Sequence, residues 1–186
     1  MRTFIAVDLD PAIKSVLADF IRRLKKMGAA NVGWAKDSGM HITLKFLGEI
    51  DEDQAVRAKD CVMSVAGTVA AFPLKIRGTG FFPPNARNPR VLWIGTSVEP
   101  VLHELQGELE SRLAALGLPR EERAFHPHLT LGRVKSPGGL HDVVAELNRN
   151  AHTEFGEMTV RKITLFKSTL KPTGAEYSIL EEGRLK

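Results

Sequence analysis

The tetrapeptide HITL at residues 41–44 returns, with one residue changed, as HLTL at residues 128–131. The two copies lie 128 − 41 = 87 residues apart, close to half of the 186-residue chain. This spacing indicates an internal duplication in which each half of the chain supplies one histidine. Two histidines in one site suit a reaction that needs one acid and one base.

Each copy has the alternation of a half-buried β-strand. Because residues i and i+2 of a strand point to one face, the histidine and the threonine of each copy project together and the apolar residues project into the core. The same parity places Lys45 and Gly132 on the histidine faces. Either copy alone would fit an ordinary strand with a wet side, but two copies at half-chain spacing favour a functional pair.

The residue types point to acid–base chemistry at phosphorus. Imidazole has an ordinary pKa near ~6.5, so near pH 7 one ring can take a proton while the other gives one. The threonine hydroxyls can donate hydrogen bonds to oxygens on which negative charge develops. A phosphodiester offers two non-bridging oxygens, a leaving alkoxide and an in-line path of attack, and this scheme requires no metal.

Zinc binding is the sharpest rival interpretation of the histidines. His126-Pro127-His128 resembles a ligand pair, but no cysteine or carboxylate cluster completes a coordination shell, so no metal site is predicted. His126 either orients the strand or lines the cleft. A P-loop and a GxGxxG motif are both missing from the sequence, and no cofactor is expected. The other histidines are predicted to be surface residues: His103, His141 and His152.

The pattern of elements predicts an α+β fold. Strands are predicted at residues 2–8, 31–35, 40–47, 72–81, 90–95, 128–134, 160–165 and 176–180, and helices at 11–24, 52–66, 100–116 and 140–148. Since several strands are adjacent in sequence, an antiparallel sheet is favoured over a doubly wound parallel one. We expect a single domain, residues 1–186, made of two lobes that each supply one motif to a shared cleft.

Composition restricts the class of protein further. The net charge of +4 leans towards phosphate-bearing partners without requiring nucleic acid. Cys61 is the only cysteine, so no intrachain disulfide can form and an intracellular, cytoplasmic location is expected. No apolar run approaches the ~20 residues that span a bilayer, and no membrane partner is expected.

Beyond the tetrapeptides, the sequence resembles a known family. HITLKFLGE (41–49) and FHPHLTLGR (125–133) resemble the two signatures of the two-histidine phosphoesterases. RTFIAVDL (2–9), NPRVLWIG (88–95) and LFKSTLKPTGAEY (165–177) resemble the LigT/ThpR group within them, which are RNA 2′,3′-cyclic phosphodiesterases once named 2′-5′ RNA ligases. The resemblance implies a bilobal fold with two pseudo-symmetric antiparallel β-sheets, flanked by helices around a central cleft.

The resemblance also implies a reaction, the hydrolysis of an RNA 2′,3′-cyclic phosphate end to a 2′-phosphate. His41 would be the proton donor to the leaving 3′-oxygen, and His128 the proton acceptor that activates water. Thr43 and Thr130 would hold the phosphate, with help from Arg133. Strand parity, however, turns Arg133 away from His128, so its role requires a strand end or a β-bulge.

The expected partner is RNA with a 2′,3′-cyclic phosphate end, tRNA fragments being one candidate, and the expected state is a monomer. The same chemistry in reverse would give 2′-5′ ligation. Two alternatives remain open, namely a non-catalytic RNA-end binder and a cyclic-phosphate hydrolase acting on a small nucleotide.

Several other side chains are candidates for contact with flanking nucleotides. At most one or two aromatic residues are expected to reach the cleft from the set Phe4, Trp34, Phe46, Phe81, Phe82 and Trp93. Arg87 and Arg90 would touch a nucleic-acid backbone or belong to a solvated loop.

Overall fold

The computed structural model describes residues 1–36, 39–84, 88–136, 138–172 and 174–186. Its elements are β1 (Arg2–Asp8), α1 (Pro11–Lys25), β2 (Val32–Trp34), β3 (His41–Glu49), α2 (Glu52–Ala66), β4 (Phe72–Phe82), β5 (Val91–Thr96), α3 (Pro100–Ala115), β6 (His128–Val134), α4 (His141–Arg149), β7 (Glu154–Val160), β8 (Lys162–Lys171) and β9 (Gly174–Arg184). Within the described ranges, no helix has the length and apolar character needed to cross a membrane.

The strands form two antiparallel sheets. The first has the order β3-β1-β8-β9 and the second the order β2-β6-β5-β4-β7. The first motif lies in β3 and the second in β6, so each sheet carries one copy. The unit β1-α1-β3-α2 corresponds to the unit β5-α3-β6-α4, and in both the motif strand pairs with the strand that precedes the intervening helix. The predicted α+β class with two antiparallel sheets is confirmed.

The helices cover one face of each sheet and cross between the two halves. Helix α2 packs on β8 and β9, and α3 packs on β3, so both lie on the first sheet. Helix α1 packs on β7 and α4 on β4, so both lie on the second sheet. Thus α1, which leaves β1 of the first sheet, covers the second sheet, and α3 makes the reverse exchange. This exchange places the apolar faces of both sheets in one continuous core.

The end of the chain differs from the predicted elements. Residues 160–165 were expected to form one strand, but β7 ends at Val160 and β8 begins at Lys162. Strand β7 lies at the edge of its sheet, and its sequence EFGEMTV lacks the clear apolar alternation that marks a strand with a buried face. Strand β9 is also longer than the predicted 176–180, since its hairpin with β8 pairs along its whole length.

Candidate active site

The first motif contains a β-bulge that the alternation of residues did not reveal. Across β1 and β3, Thr43 lies opposite Ala6 and Lys45 lies opposite Ile5, so Leu44 is an extra residue on β3. The extra residue turns Lys45 to the core side of the sheet. Its side chain is only 2% exposed, and its Nζ lies 2.7 Å from Oε1 of Glu110 in α3. The prediction that Lys45 shares the face of the first histidine is therefore wrong.

The second motif has the same bulge at the matching position. Across β5 and β6, Thr130 lies opposite Trp93 and Gly132 lies opposite Leu92, which makes Leu131 the extra residue. Gly132 consequently faces the core, where an added Cβ would lie 2.6 Å from Cγ1 of Val32. The prediction that Gly132 extends the face of the second histidine is likewise wrong.

These bulges bring the next residue of each copy round to the histidine face. Arg133 lies opposite Val91, which shares a face with Trp93 and therefore with Thr130 and His128. The conflict between strand parity and the implied role of Arg133 is resolved by the bulge, and the exposed guanidinium helps to lower the pKa of His128. In the first copy the same position is taken by Phe46, opposite Phe4.

His41 lies within a group of aromatic rings. Its imidazole stacks on Phe4 with ring centroids 4.6 Å apart, and Phe166 follows at 6.0 Å. The edge of Tyr177 closes the group at 5.3 Å. Burial lowers the pKa of His41 to about 4. In the free protein this histidine is therefore neutral near pH 7.

Two charged residues modulate His41 from opposite directions. Asp8 is the partner of His41 across β1 and β3 and raises the pKa of the imidazole. Lys14, on the first turn of α1, forms an ion pair with Asp8 at 2.7 Å and lowers that pKa. Any change that weakens the ion pair between Asp8 and Lys14 therefore changes the pKa of His41.

The second histidine is oriented by backbone. Nδ1 of His128 lies 2.7 Å from the carbonyl oxygen of His126. Because a carbonyl only accepts, Nδ1 carries the proton in this bond and Nε2 is left with its lone pair. Burial lowers the pKa of His128, and the bond to His126 partly opposes that shift. The contact comes from the main chain of His126, whose side chain is exposed, so neither expected task of that side chain, orienting the strand or lining the cleft, is tested by it.

Four of the six aromatic candidates lie on the histidine faces of the two sheets. The register and ring contacts place Phe4, which stacks on His41, and Phe46 on the face of the first motif. Phe82 and Trp93 lie on the face of the second, where Phe82 meets the imidazole of His128 edge-on at 5.3 Å. Trp93 lies over Gly80, where an added Cβ would come within 2.4 Å of the indole. Of these four, Phe4 is 3% exposed, Phe82 and Trp93 are half-buried, and Phe46 is open to solvent. Trp34 and Phe81 pack against the core as expected.

The remaining candidate residues of the sequence analysis belong to neither of the two motif strands. The histidines predicted to be on the surface are exposed, and Cys61 is buried. Arg90 is exposed, whereas Arg87 lies outside the described residues. Among the described residues, no three histidine, cysteine or acidic side chains converge as a metal site would need. The two motif strands contact each other, β3 against β6.

Two antiparallel sheets, each with a histidine and a threonine on the face opposite the helices, define a two-histidine phosphoesterase. The model of the 2′-5′ RNA ligase superfamily matches residues 13–171, and the chain belongs to this family. The family predicted from the two motifs is confirmed.

Individual relatives match over the whole chain. The RNA 2′,3′-cyclic phosphodiesterase of Methanothermobacter thermautotrophicus is 34% identical over 188 residues, covering 100% of this chain and 99% of the relative. A crystal structure of a protein from Thermus thermophilus superposes with a TM-score of 0.83 at 29% identity, covering 100% of this chain and 98% of that one. The apo form of Escherichia coli LigT has the same fold, with a TM-score of 0.77 at 24% identity over 100% of this chain and 97% of its own.

Proposed function

We propose that this protein hydrolyses RNA 2′,3′-cyclic phosphate ends to 2′-phosphate ends. The observation that carries the proposal is the matched pair of bulged strands, each presenting a histidine and a threonine on the face away from the helices. The full-length relative is named for this activity, and further curated relatives at 33–37% identity have the same name. The reaction class predicted from the sequence agrees with these names.

The proposed mechanism gives the two histidines complementary tasks. Nε2 of His128 takes a proton from water, and the water oxygen attacks phosphorus opposite the bond to the 3′-oxygen. As that bond breaks, the imidazolium of His41 gives its proton to the 3′-oxygen, and the 2′-phosphate remains. Hydroxyls of Thr43 and Thr130, with the guanidinium of Arg133, stabilise the charge on the non-bridging oxygens. One water is consumed, His128 gains one proton and His41 loses one.

Because the pKa of His41 is low in the free protein, the bound substrate must stabilise the protonated imidazolium that acts as the proton donor. In the free protein a ring with a pKa of about 4 is neutral near pH 7 and cannot donate. A bound phosphodiester brings a negative charge, which favours the imidazolium and raises the pKa. Asp8 acts in the same direction. The proton donor is therefore formed in the complex, when it is needed.

The pH dependence of hydrolysis follows from these shifts. The pKa values of His41 and His128 both lie below the ordinary 6.5. In the free protein, the state in which one of the two histidines is protonated is thus populated mainly below pH 6.5. This state loses its proton as the pH rises through the higher of the two pKa values, and it gains a second proton as the pH falls through about 4. We expect kcat/KM to be largest between these limits and kcat to peak at higher pH, because bound phosphate raises both pKa values. A steady-state pH series measures this, and a kcat/KM that still increases above pH 7 would contradict it.

The finer assignments belong to the proposal as well. RNA is the substrate polymer, and tRNA fragments are candidate substrates. We propose that the protein acts as a monomer in the cytoplasm, since one chain supplies both motifs. Reverse 2′-5′ ligation would use the same histidines with exchanged tasks, by microscopic reversibility. A small cyclic nucleotide as the natural substrate is the second candidate, and comparing kcat/KM on a 2′,3′-cyclic mononucleotide with kcat/KM on an oligonucleotide that has a 2′,3′-cyclic end separates it from RNA.

Product analysis tests the proposed reaction. An oligonucleotide with a 2′,3′-cyclic phosphate end is incubated with the protein in the presence and absence of EDTA, and the product is resolved by ³¹P NMR. We expect a 2′-phosphate under both conditions, because the scheme has no step that a metal must supply. A 3′-phosphate product would reverse the assignment of the leaving oxygen. Tight binding with no product over long incubation would favour a non-catalytic RNA-end binder.

A further inference from the structure

A row of residues leads from His128 across the second sheet to an arginine. On β5, Gly95 is the register partner of His128. On β4, an irregularity at residues 77 and 78 lies opposite Gly95. Arg77 is exposed between the buried residues Ile76 and Gly78, so its side chain lies on the face away from the helices, which is the face of His128.

The guanidinium of Arg77 has no carboxylate partner among the described residues. Its register partner on β7 is Glu154, but the carboxylate of Glu154 lies 3.3 Å from Nζ of Lys75. The other carboxylate of β7 on this face, Glu157, is also a neighbour of Lys75, at 3.9 Å. Arg77 thus keeps its charge available for an anion, and the planar fork of a guanidinium suits phosphate.

We propose that Arg77 binds a second phosphate of the RNA substrate, one that precedes the cyclic phosphate in the chain, and that this contact makes the site prefer cyclic ends that carry such a phosphate. The proposal rests on the function proposed above and extends it to the form of the substrate. Arg133, on the motif strand itself, is left to the phosphate that reacts.

The surface between His128 and Arg77 is open to a bound chain. Gly95 presents no side chain there, and an added Cβ would lie 3.2 Å from the carbonyl oxygen of Arg77 and 3.3 Å from the ring of Trp93. Two strand spacings, roughly 10 Å between Cα atoms, separate Arg77 from His128. Because an arginine side chain is long and flexible, its guanidinium can approach a phosphate that lies one or two nucleotides before the reacting one.

The two halves of the duplication differ at the position between the histidine and this arginine. The residue that corresponds to Gly95 in the first copy is Asp8, the register partner of His41, and its carboxylate is paired with Lys14. A carboxylate in place of Gly95 would repel a phosphate and would attract the guanidinium of Arg77. Only the second half therefore combines an uncharged, open path with an unpaired cation at its end.

The test compares three substrates that differ in the phosphates before the cyclic end. They are adenosine 2′,3′-cyclic phosphate with a free 5′-hydroxyl, the same nucleotide with a 5′-phosphate, and a trinucleotide that ends in a 2′,3′-cyclic phosphate. We expect Arg77→Ala to lower kcat/KM by about 10-fold or more wherever the second phosphate is present, the scale of one lost hydrogen bond to a charged group, and by less than about 2-fold on the first substrate. Arg77→Lys should lose less than Arg77→Ala, because it retains the charge.

Arg57→Ala is the matched control. Arg57 is exposed on α2, which packs on the first sheet, so its removal changes the net charge by the same amount away from the proposed site. We expect it to resemble the wild type on all three substrates. A loss in Arg77→Ala with the 5′-phosphorylated nucleotide assigns the contact to the 5′-phosphate of the terminal nucleotide, and a loss with the trinucleotide alone assigns it to the phosphate before that one.

The remaining outcomes separate this proposal from the function on which it rests. An equal loss on all three substrates, or no loss on any of them, would overturn the role of Arg77 and leave the proposed reaction intact. Calorimetric titration with adenosine 2′-monophosphate and adenosine 2′,5′-bisphosphate measures binding without turnover. If the wild type hydrolysed none of the substrates but bound the bisphosphate more tightly, and Arg77→Ala removed that difference, the proposed reaction would fail and the second phosphate site would stand.

Discussion

Replacing His41 or His128 by alanine is expected to lower turnover of a 2′,3′-cyclic RNA end by about 10²–10⁴-fold or more, with the fold preserved. Each imidazole has a task that water performs poorly at the same place, either taking a proton from the nucleophile or giving one to the 3′-oxygen. Because the two histidines act in one step, the double variant should turn over the substrate only slightly more slowly than the less active single variant. Single-turnover kinetics on the cyclic oligonucleotide, with circular dichroism to confirm folding, measure this.

The chain offers a close control for the histidine experiment. The side chain of His126 is exposed, and only its backbone carbonyl contacts Nδ1 of His128. His126→Ala keeps that carbonyl, so we expect nearly full activity. Activity retained in both His41→Ala and His128→Ala would exclude the proposed mechanism. A loss in His126→Ala as large as that in His128→Ala would mean that the His126 imidazole itself reaches the substrate.

Glu110→Ala is expected to destabilise the protein by about 3–5 kcal/mol, because it leaves a buried ammonium without its counterion. Lys45 is 2% exposed and Glu110 is 16% exposed. Nζ of Lys45 also donates to the carbonyl oxygen of Pro119 at 2.5 Å, and Glu110 accepts from the backbone N–H of Glu121 at 2.8 Å. This cluster fixes the strand of the first motif to the segment that leads to the second, and urea unfolding measures its contribution.

Glu108→Ala is the matched control on the same helix. Glu108 pairs with Arg112 at 2.6 Å, but both side chains are 40% or more exposed, so the loss should be below about 1 kcal/mol. Combining Glu110→Leu with Lys45→Met removes both charges and should recover most of the stability lost in Glu110→Ala. If Glu110→Ala and Glu108→Ala unfolded at the same urea concentration, the buried pair would have no special part in stability.

The family and most elements could be predicted because their signals are local. The repeated tetrapeptide and its flanking segments specify the family, and the bounds of α2 and β6 agree with the prediction to the residue. Helices with proline at the start and glycine after the end, such as α3 followed by Gly117, are also well marked by composition.

Other features depend on pairing between strands and are hidden from a single sequence. A bulged leucine looks like any other apolar residue in a sequence, so the bulges at Leu44 and Leu131 could not be predicted. These bulges turn Lys45 and Gly132 to the core face and Arg133 to the histidine face. The exchange of α1 and α3 between the sheets, and the orienting carbonyl of His126, likewise arise only in the folded chain.

A crystal structure of the protein with a nucleoside 2′-monophosphate, the product in its smallest form, tests the central claim most directly. The account predicts one 2′-phosphate between the two motifs, with Nε2 of His128 within about 2.6–3.2 Å of a phosphate oxygen, a ring nitrogen of His41 at the same distance from the ribose 3′-oxygen, and both threonine hydroxyls on the remaining phosphate oxygens. A product contacted by only one of the two histidines, or bound elsewhere while this face stays empty at saturating ligand, would contradict it.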